Sequence, residues 1–390
     1  MTLPTVRRHR DCFAWLAIWL AVVTQSATAE EHTIVDGLSW NGDLRAGYFT
    51  QRHDDRDGSR DATDELAARL RLGLSGQITP ALQANARIAT RYSTYNNHPY
   101  FAVFDHIPDT DGLRSGDATV DLLSLAWTPS PKWLVEAGRI QTAFELAGIA
   151  GGSLDRSDSP NVDISWTNGV HARYHTDSGW NGHAILQYNA LAGATNVRLP
   201  PLDFHDGGSR VTYFAALESE QHNGPVVQRA LDVTYVPSSL QTDGTGTVGV
   251  KDYWAFVGRL AAEWPTGIGG MRFLAGTEIG YAPNTPTRAA TGLAGTGDAG
   301  GTAWQVSGNL LDVAPGHSVG YQYGRAQAGW LISPDFRSNE VLHEVRYEWS
   351  MEQERALTVR YRYRQDLEIP PTAVERRHDQ DLFVRYSIHF

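Results

Sequence analysis

Cysteine is almost absent from this sequence, with one residue in 390. A disulfide framework and a zinc site built from Cys-x-x-Cys pairs are therefore excluded. No run of 18 apolar residues occurs, which excludes a chain that crosses a membrane with helices. Acidic residues outnumber basic ones, 44 to 33, so nucleic acid is not expected as a partner. The apolar content, 41%, is too high for a disordered chain.

Lysine is the second scarce residue. Only Lys132 and Lys251 occur, so 31 of the 33 basic residues are arginines. An arginine side chain keeps its charge at every accessible pH and presents its donors in a fixed plane. The composition therefore favours positive charges that are held in defined orientations.

Residues 1–29 have the features of a secretory signal peptide. Three arginines precede residue 11, an apolar run follows over 12–23, and 27–29 reads Ala-Thr-Ala, a small-x-small cleavage site. A buried N-terminal helix is the alternative interpretation. After cleavage, residues 30–390 contain 30 basic and 43 acidic residues and no cysteine. A cysteine-free chain suits export through an oxidising compartment.

The exported part alternates apolar and polar residues with a period of two. In 66–78 the even positions are almost all Leu, Ala or Ile, whereas Arg69 and Arg71 occupy odd positions. Successive side chains of a strand point to opposite faces, so each such segment predicts a strand with one apolar and one polar face. Sixteen segments follow this pattern: 38–49, 64–78, 81–93, 119–128, 132–140, 168–176, 180–190, 210–218, 227–236, 251–264, 271–282, 302–312, 317–327, 339–350, 356–366 and 379–390.

The connections between these segments alternate in length. The short ones contain Pro or Gly, which supply the backbone angles of tight turns. They include 79–80, 129–131, 177–179, 265–270 and 313–316. The long ones are 50–63, 94–118, 141–167, 191–209, 237–250, 283–301 and 367–378.

An even number of strands with alternating connections is typical of an outer-membrane barrel. In lipid an unpaired backbone group costs several kcal/mol, so the sheet must close on itself. Sixteen strands enclose an aqueous lumen. The sequence therefore predicts an all-β fold, a transmembrane antiparallel β-barrel of about sixteen strands over residues 30–390.

Tryptophan placement supports this fold. Five tryptophans flank short connections, where an aromatic girdle would meet the membrane interface. They are Trp127, Trp133, Trp180, Trp264 and Trp349. Two polar residues, Asp121 and His343, occupy positions expected to face lipid, so each is expected to lie near a strand end or beside a bulge.

Two motifs resemble those of a known family. The chain ends in Phe390, with Tyr386 and Ile388 at alternate positions before it, and 138–144 reads Gly-Arg-Ile-Gln-Thr-Ala-Phe. The ending resembles the signal read by the barrel-assembly machinery. The second motif resembles the end of the fifth strand in general bacterial outer-membrane porins. The resemblance covers the mature chain as architecture and implies a homotrimer surrounded by outer-membrane lipid and lipopolysaccharide.

The resemblance also implies a pore constriction. In that family the third external loop folds into the lumen, and its acidic residues face arginines on the wall. The corresponding loop here is 141–167. Its acidic residues are Glu145, Asp155, Asp158 and Asp163. The candidate wall arginines are Arg45, Arg69, Arg71, Arg87, Arg91, Arg360, Arg362, Arg364 and Arg385. First and last strands adjoin in a closed barrel, so these arginines form one basic sector. Alternatively, the loop acids are solvated and the arginines pair locally.

One acidic motif raises the question of a metal. Asp55, Asp57 and Asp61 surround Gly58 with the spacing of some calcium loops, and carboxylates around a turn suit a hard cation. The favoured interpretation is a solvated loop tip, and no other cofactor is expected.

These observations predict a porin in the cell outer membrane, a passive diffusion channel for small hydrophilic solutes or ions and not an enzyme. The alternatives are a substrate-specific channel for an organic acid or a saccharide, a barrel hydrolase such as a lipase or protease, and a scaffold barrel around an electron-transfer partner. Opposed charges in a lumen select solutes by sign without tight binding, which favours the channel.

Overall fold

Backbone hydrogen bonds continue without a break around one sheet. The structure is a computed structural model that describes residues 32–35, 37–94, 100–101, 117–157, 164, 166–189, 202, 210–222, 224–241, 250–351 and 354–390. The predicted signal peptide, 1–29, lies outside this range. Eighteen strands follow in chain order: β1 (His32–Val35), β2 (Leu38–Asp54), β3 (Arg60–Thr79), β4 (Leu82–Ser93), β5 (Tyr100–Phe101), β6 (Asp117–Ser130), β7 (Trp133–Ile140), β8 (Thr167–His175), β9 (Asn181–Asn189), β10 (Arg210–Ser219), β11 (Val226–Gln241), β12 (Val250–Pro265), β13 (Arg272–Tyr281), β14 (Thr302–Ala314), β15 (His317–Ala326), β16 (Glu340–Met351), β17 (Arg355–Asp366) and β18 (His378–His389).

Sixteen of these strands form a closed barrel. Each long strand pairs antiparallel with the next, and β18 pairs with β2 from His378–Asp54 down to His389–Asp43. The short strands are additions, since β1 pairs with β2 and β5 runs parallel to β6. Within the described ranges, no helix is long and apolar enough to cross a bilayer. The prediction of a sixteen-stranded antiparallel barrel is confirmed, and every predicted segment overlaps one barrel strand.

The first predicted long connection, 50–63, is wrong. Strands β2 and β3 extend through most of it and leave a turn of five residues, 55–59. Gly58, with φ of +85°, supplies the left-handed conformation that this turn needs. The ladder continues because polar residues on a hairpin above the barrel still satisfy their backbone groups.

The two faces of the barrel differ as the alternation predicts. Leu72 and Leu74 on β3 are about half exposed on the outside, at 48% and 49%. Arg69 and Arg71, on the same strand, point inward and are buried, at 0% and 3%. The apolar outer surface therefore alternates residue by residue with a charged lumen wall.

A bulge explains Asp121. Register between β4 and β6 shifts where Arg87 pairs with Leu122 and the next residue, Ile88, pairs with Val120. The extra residue, Asp121, is unpaired in the ladder and turns into the lumen, where it is fully buried. The bulge thus places an acid inside that strict alternation would place in lipid.

His343 stays on the outside, near the end of β16 that carries the long connections. Its Nδ1 lies 2.8 Å from the Tyr321 hydroxyl, and the ring packs against Tyr323 and Tyr363. At the opposite end, Trp127, Trp133, Trp264 and Trp349 are exposed on the outer face, whereas Trp180 is half-buried. Aromatic rings therefore occur at both ends of the barrel.

The C-terminus lies in the seam between β18 and β2. The Phe390 amide donates to the Gly42 carbonyl at 3.0 Å, and the ring lies against Trp40. A side chain at Gly42 would collide with the Phe390 ring, since its Cβ would lie 2.4 Å from Cε2. The role of Phe390 as an assembly signal stays a prediction.

Glycine is required at position 138, where β7 approaches the loop. Gly138 has φ of +126°, and a Cβ there would lie 2.3 Å from the Leu123 carbonyl oxygen. We expect Gly138→Ala to destabilise the barrel by about 1–3 kcal/mol. The measurement is the temperature at which the folded barrel unfolds, read as a mobility shift on gels. Gly182→Ala is the control, because the nearest atom to its Cβ is 4.0 Å away. Equal unfolding temperatures for both variants would contradict this assignment.

Candidate functional site

The loop after β7 lies inside the barrel. Gln228 of β11 holds it twice, because its Nε2 donates to the Glu145 carbonyl and its Oε1 accepts from the Ala147 amide, each at 2.8 Å. On β14, Asn309 Oδ1 accepts from the Ala150 amide at 3.0 Å. The backbone of residues 141–157 therefore runs across the inner wall, attached to inward-facing side chains of separate strands.

Apolar contacts set the path of this loop. Phe144 packs on Phe214 of β10 with ring centroids 4.6 Å apart. Leu146 forms a buried cluster with Ala261 and Leu274 of β12 and β13. Burial of these side chains favours the inward path, since each would face water if the loop extended outward.

A second connection, residues 327–339 between β15 and β16, also enters the lumen. The Trp330 Nε1 donates to the Leu154 carbonyl at 2.9 Å, and the Ser333 hydroxyl donates to the Ser153 carbonyl at 2.7 Å. Asp335 accepts from the Ser153 amide at 2.8 Å. The sequence analysis missed this contact, although Trp330, Leu331 and Ile332 form an unusual apolar run for an external loop.

A buried ionic cluster lies between the first loop and the wall. Arg259 of β12 forms ion pairs with Asp232 and Glu278, and it donates to the Phe144 carbonyl. Glu278 also accepts from the Leu154 amide at 3.0 Å. The cluster thus joins the loop backbone to three adjacent strands, β11 to β13.

Asp155 belongs to this interior and not to the open lumen. Its side chain accepts from the Thr234 hydroxyl and is 0% exposed. Burial raises the pKa of Asp155, while the neighbouring Arg156 acts in the opposite direction. Burial likewise lowers the pKa of Arg156 to about 10. The expectation that Asp155 faces the wall arginines is therefore wrong.

The other predicted loop acids have different placements. Glu145 is exposed, and its backbone carbonyl anchors the loop to Gln228. Asp158 and Asp163 lie outside the described residues. Only Glu145 among the described loop acids therefore has a side chain open to solvent.

The predicted arginines line the other side of the lumen and pair with carboxylates of the wall itself. Asp43 lies 2.9 Å from Arg69, and Asp121 lies 2.8 Å from Arg71. Further pairs are Arg45–Asp43, Arg87–Asp121, Arg91–Glu65, Arg360–Asp381, Arg362–Glu344 and Arg364–Glu340. Local pairing, the alternative interpretation, describes these arginines.

Arginines share carboxylates along this wall. Glu344 contacts Arg346, Arg360 and Arg362, and Asp43 contacts three arginines of β2 and β3. One negative charge thus serves several positive ones, which leaves a local excess of positive charge. The sequence analysis missed Arg346 and Glu344, although both lie at alternate, inward positions of the strand beside Arg360 and Arg362.

Some of these arginines remain accessible from the lumen. The side chains of Arg45 and Arg346 are 21% and 22% exposed. A solute in the lumen would therefore meet arginines on one side and the loop, with Glu145, on the other.

The three aspartates of the acidic hairpin tip make separate contacts. Asp55 lies 3.0 Å from His53 Nε2, Asp57 accepts from the Ser59 amide, and Asp61 accepts from the Ala62 amide. Across the described ranges, no three His, Cys, Asp or Glu side chains come together as a metal site. Calcium binding at the tip stays a prediction.

Three solved structures share this fold. Pseudomonas putida OprB matches with a TM-score of 0.56 at 11% identity, over 91% of this chain and 94% of that one. Acinetobacter baumannii OccAB1 gives 0.56 at 10% identity, over 94% and 100%. Pseudomonas aeruginosa OccK9 (OpdG) gives 0.52 at 15% identity, over 92% and 100%. These proteins are outer-membrane porins, and the barrel described here has their fold. No protein-family model matches the sequence, and no curated protein is similar in sequence.

Arg259 should be essential for the folded loop. Arg259→Met leaves Asp232 and Glu278 buried without their cation, so we expect a loss of roughly 3–5 kcal/mol. The unfolding temperature of the purified barrel is the measurement. Arg272→Met, at the exposed end of β13, removes surface pairs with Glu263 and Asp312 and should cost under about 1 kcal/mol. A loss at Arg259 no larger than that at Arg272 would refute the proposed importance of the cluster.

Proposed function

We propose that this protein is an outer-membrane channel through which small hydrophilic solutes diffuse passively, with a preference for anions. Solutes would move down their gradient, and no covalent chemistry would occur. The observation that carries the proposal is a sealed barrel whose inner wall has more arginines than carboxylates, with Arg45 and Arg346 accessible from the lumen.

The outer surface supports a location in a membrane. Outward side chains such as Leu72, Leu125 and Leu260 are apolar and exposed, and the closed sheet has no edge to solvate. The similarity in fold to outer-membrane porins points to the same location. Export by residues 1–29, assembly through Phe390, a homotrimer and contact with lipopolysaccharide are further parts of this proposal.

The inward loop supports selection inside the lumen. Residues 141–157 occupy one side, next to strands β10 to β14, and the arginines occupy the other. We infer that a solute passes between Glu145 and the arginine wall, which would create a transverse field there. Because wall carboxylates already pair with most arginines, the field comes from their excess and not from the full set.

A substrate-specific channel is the second candidate. It is favoured by the two loops that fill part of the lumen and by arginines held in fixed orientations through ion pairs. A channel of this kind would show a small conductance that one solute blocks. The hydrolase and electron-transfer alternatives predict no conductance, and an esterase or protease assay of the same preparation tests the first of them.

Ion selectivity tests the proposed arginine wall. In planar bilayers under a potassium chloride gradient, the unmodified chain should give an ohmic conductance and a reversal potential that favours chloride. The double variant Arg45→Gln, Arg346→Gln should lower the chloride-to-potassium permeability ratio about twofold to fivefold, because a unit charge at 4 Å in water contributes about 1 kcal/mol. Arg229→Gln is the control, since Arg229 stacks on Trp180 at the outer end of the barrel. An unchanged ratio in the double variant would rule out the wall as the selectivity element.

A matched pair of loop variants tests which acid faces the solute. Glu145→Gln removes an exposed negative charge and should raise the chloride-to-potassium ratio. Asp155→Asn removes a fully buried charge and should leave the ratio of the folded channels unchanged. Reversal potentials of the two variants decide between them. A larger effect from Asp155 than from Glu145 would contradict the placement of these side chains.

A further inference from the structure

Two arginines of the wall share one aromatic ring. Arg360 of β17 lies directly opposite Phe383 of β18 in the ladder, and Arg385 follows two residues later on the same inward face. The Arg360 guanidinium carbon is 4.1 Å from the Phe383 ring centre, and that of Arg385 is 5.5 Å away. Phe383 is buried and packs in turn on Phe49 of β2, with ring centroids 5.6 Å apart.

This arrangement fixes the planes of two like charges side by side. A guanidinium over an aromatic ring gains a cation–π attraction of roughly 0.5–2 kcal/mol, which offsets repulsion between neighbouring cations. Without the ring, the Arg385 side chain would have free torsions and would turn away from Arg360. Phe383 therefore determines where the Arg385 donors point.

Arg385 differs from the other predicted wall arginines in its partners. Its hydrogen bond goes to the Thr358 hydroxyl, at 3.4 Å. Among the residues that the structure describes, no carboxylate forms an ion pair with Arg385. The charged groups that act on it most strongly are also arginines, namely Arg45, Arg346, Arg360 and Arg69. A cation in that setting attracts an anion from the lumen.

The wall beside Arg385 carries no side chain. Gly47 of β2 lies opposite Arg385 in the ladder, and any larger residue would place its Cβ 2.4 Å from the Val384 carbonyl oxygen. Only glycine fits there, so Arg385 is uncovered on that side. An anion would reach its guanidinium without displacing a neighbour.

We propose that Arg385 is the lumen group that binds a carboxylate of the passing solute, and that Phe383 is the residue that positions it. The guanidinium presents two parallel N–H donors, which match the two oxygens of a carboxylate, whereas a spherical halide engages them less completely. The inference rests on the proposed channel and names its preferred solute class, small planar carboxylates over halides.

Bi-ionic reversal potentials test the proposal, with sodium acetate on one side of the bilayer and sodium chloride on the other. Phe383→Leu should lower the acetate-to-chloride permeability ratio by roughly threefold, because the guanidinium loses its fixed plane while its charge remains. Phe383→Tyr keeps the ring and should restore the ratio. Arg385→Lys keeps the charge without the planar fork, so it should lower the ratio and preserve the preference for anions over sodium.

Phe273→Leu is the control, since Phe273 packs on Trp264 at the outside of the barrel. An acetate-to-chloride ratio that stays the same in Phe383→Leu and Arg385→Lys overturns this inference but leaves the channel intact. A loss of the ratio in Phe273→Leu as well would assign the effect to general loosening and also overturn it. An unmodified chain without conductance would remove both the channel and the carboxylate site. If Phe383→Leu does not fold, Arg385→Lys alone decides.

Discussion

Closure of the backbone ladder between β18 and β2 is the constraint on which everything else depends. Pairing over this seam satisfies the last free row of N–H and C=O groups, which an open sheet would leave exposed. Once the sheet is closed, the period of two divides every strand between an outer and an inner surface. It also places the first and last strands side by side, so Arg45 and Arg385, 340 positions apart in the sequence, line the same part of the wall.

Strand positions could be predicted from the sequence because they depend on local alternation. Each residue's face follows from its parity, and parity fails only where the ladder changes. Asp121 shows such a failure, since one bulged residue reverses its direction. The 50–63 segment shows another, because polar residues can form a hairpin above the barrel as readily as a loop. Neither feature has a reliable local signal, as both depend on which residue of the neighbouring strand lies opposite.

The site was less predictable than the fold because its contacts are cross-strand and long-range. The arginines were identified, but their partners depend on register. Asp43 binds Arg69, 26 residues away, because the β2–β3 ladder brings the two strands together. The inward path of 327–339 depends on Trp330 reaching the Leu154 carbonyl, 176 residues away in the sequence. Periodicity carries no information about such a contact, although the apolar run in that connection was a usable sign.

The division of the lumen has a consequence for how charge can act on a solute. Carboxylates of the wall hold the arginines in place, and a cation so paired is rigid but largely neutralised. Sharing leaves some positive charge over, as at Glu344, whose single charge serves three arginines. Arg385 is at the extreme of this series, since an aromatic ring and not an acid orients it. Ion pairs elsewhere on the wall therefore provide stiffness, while the attraction for anions concentrates where orientation is achieved without neutralisation.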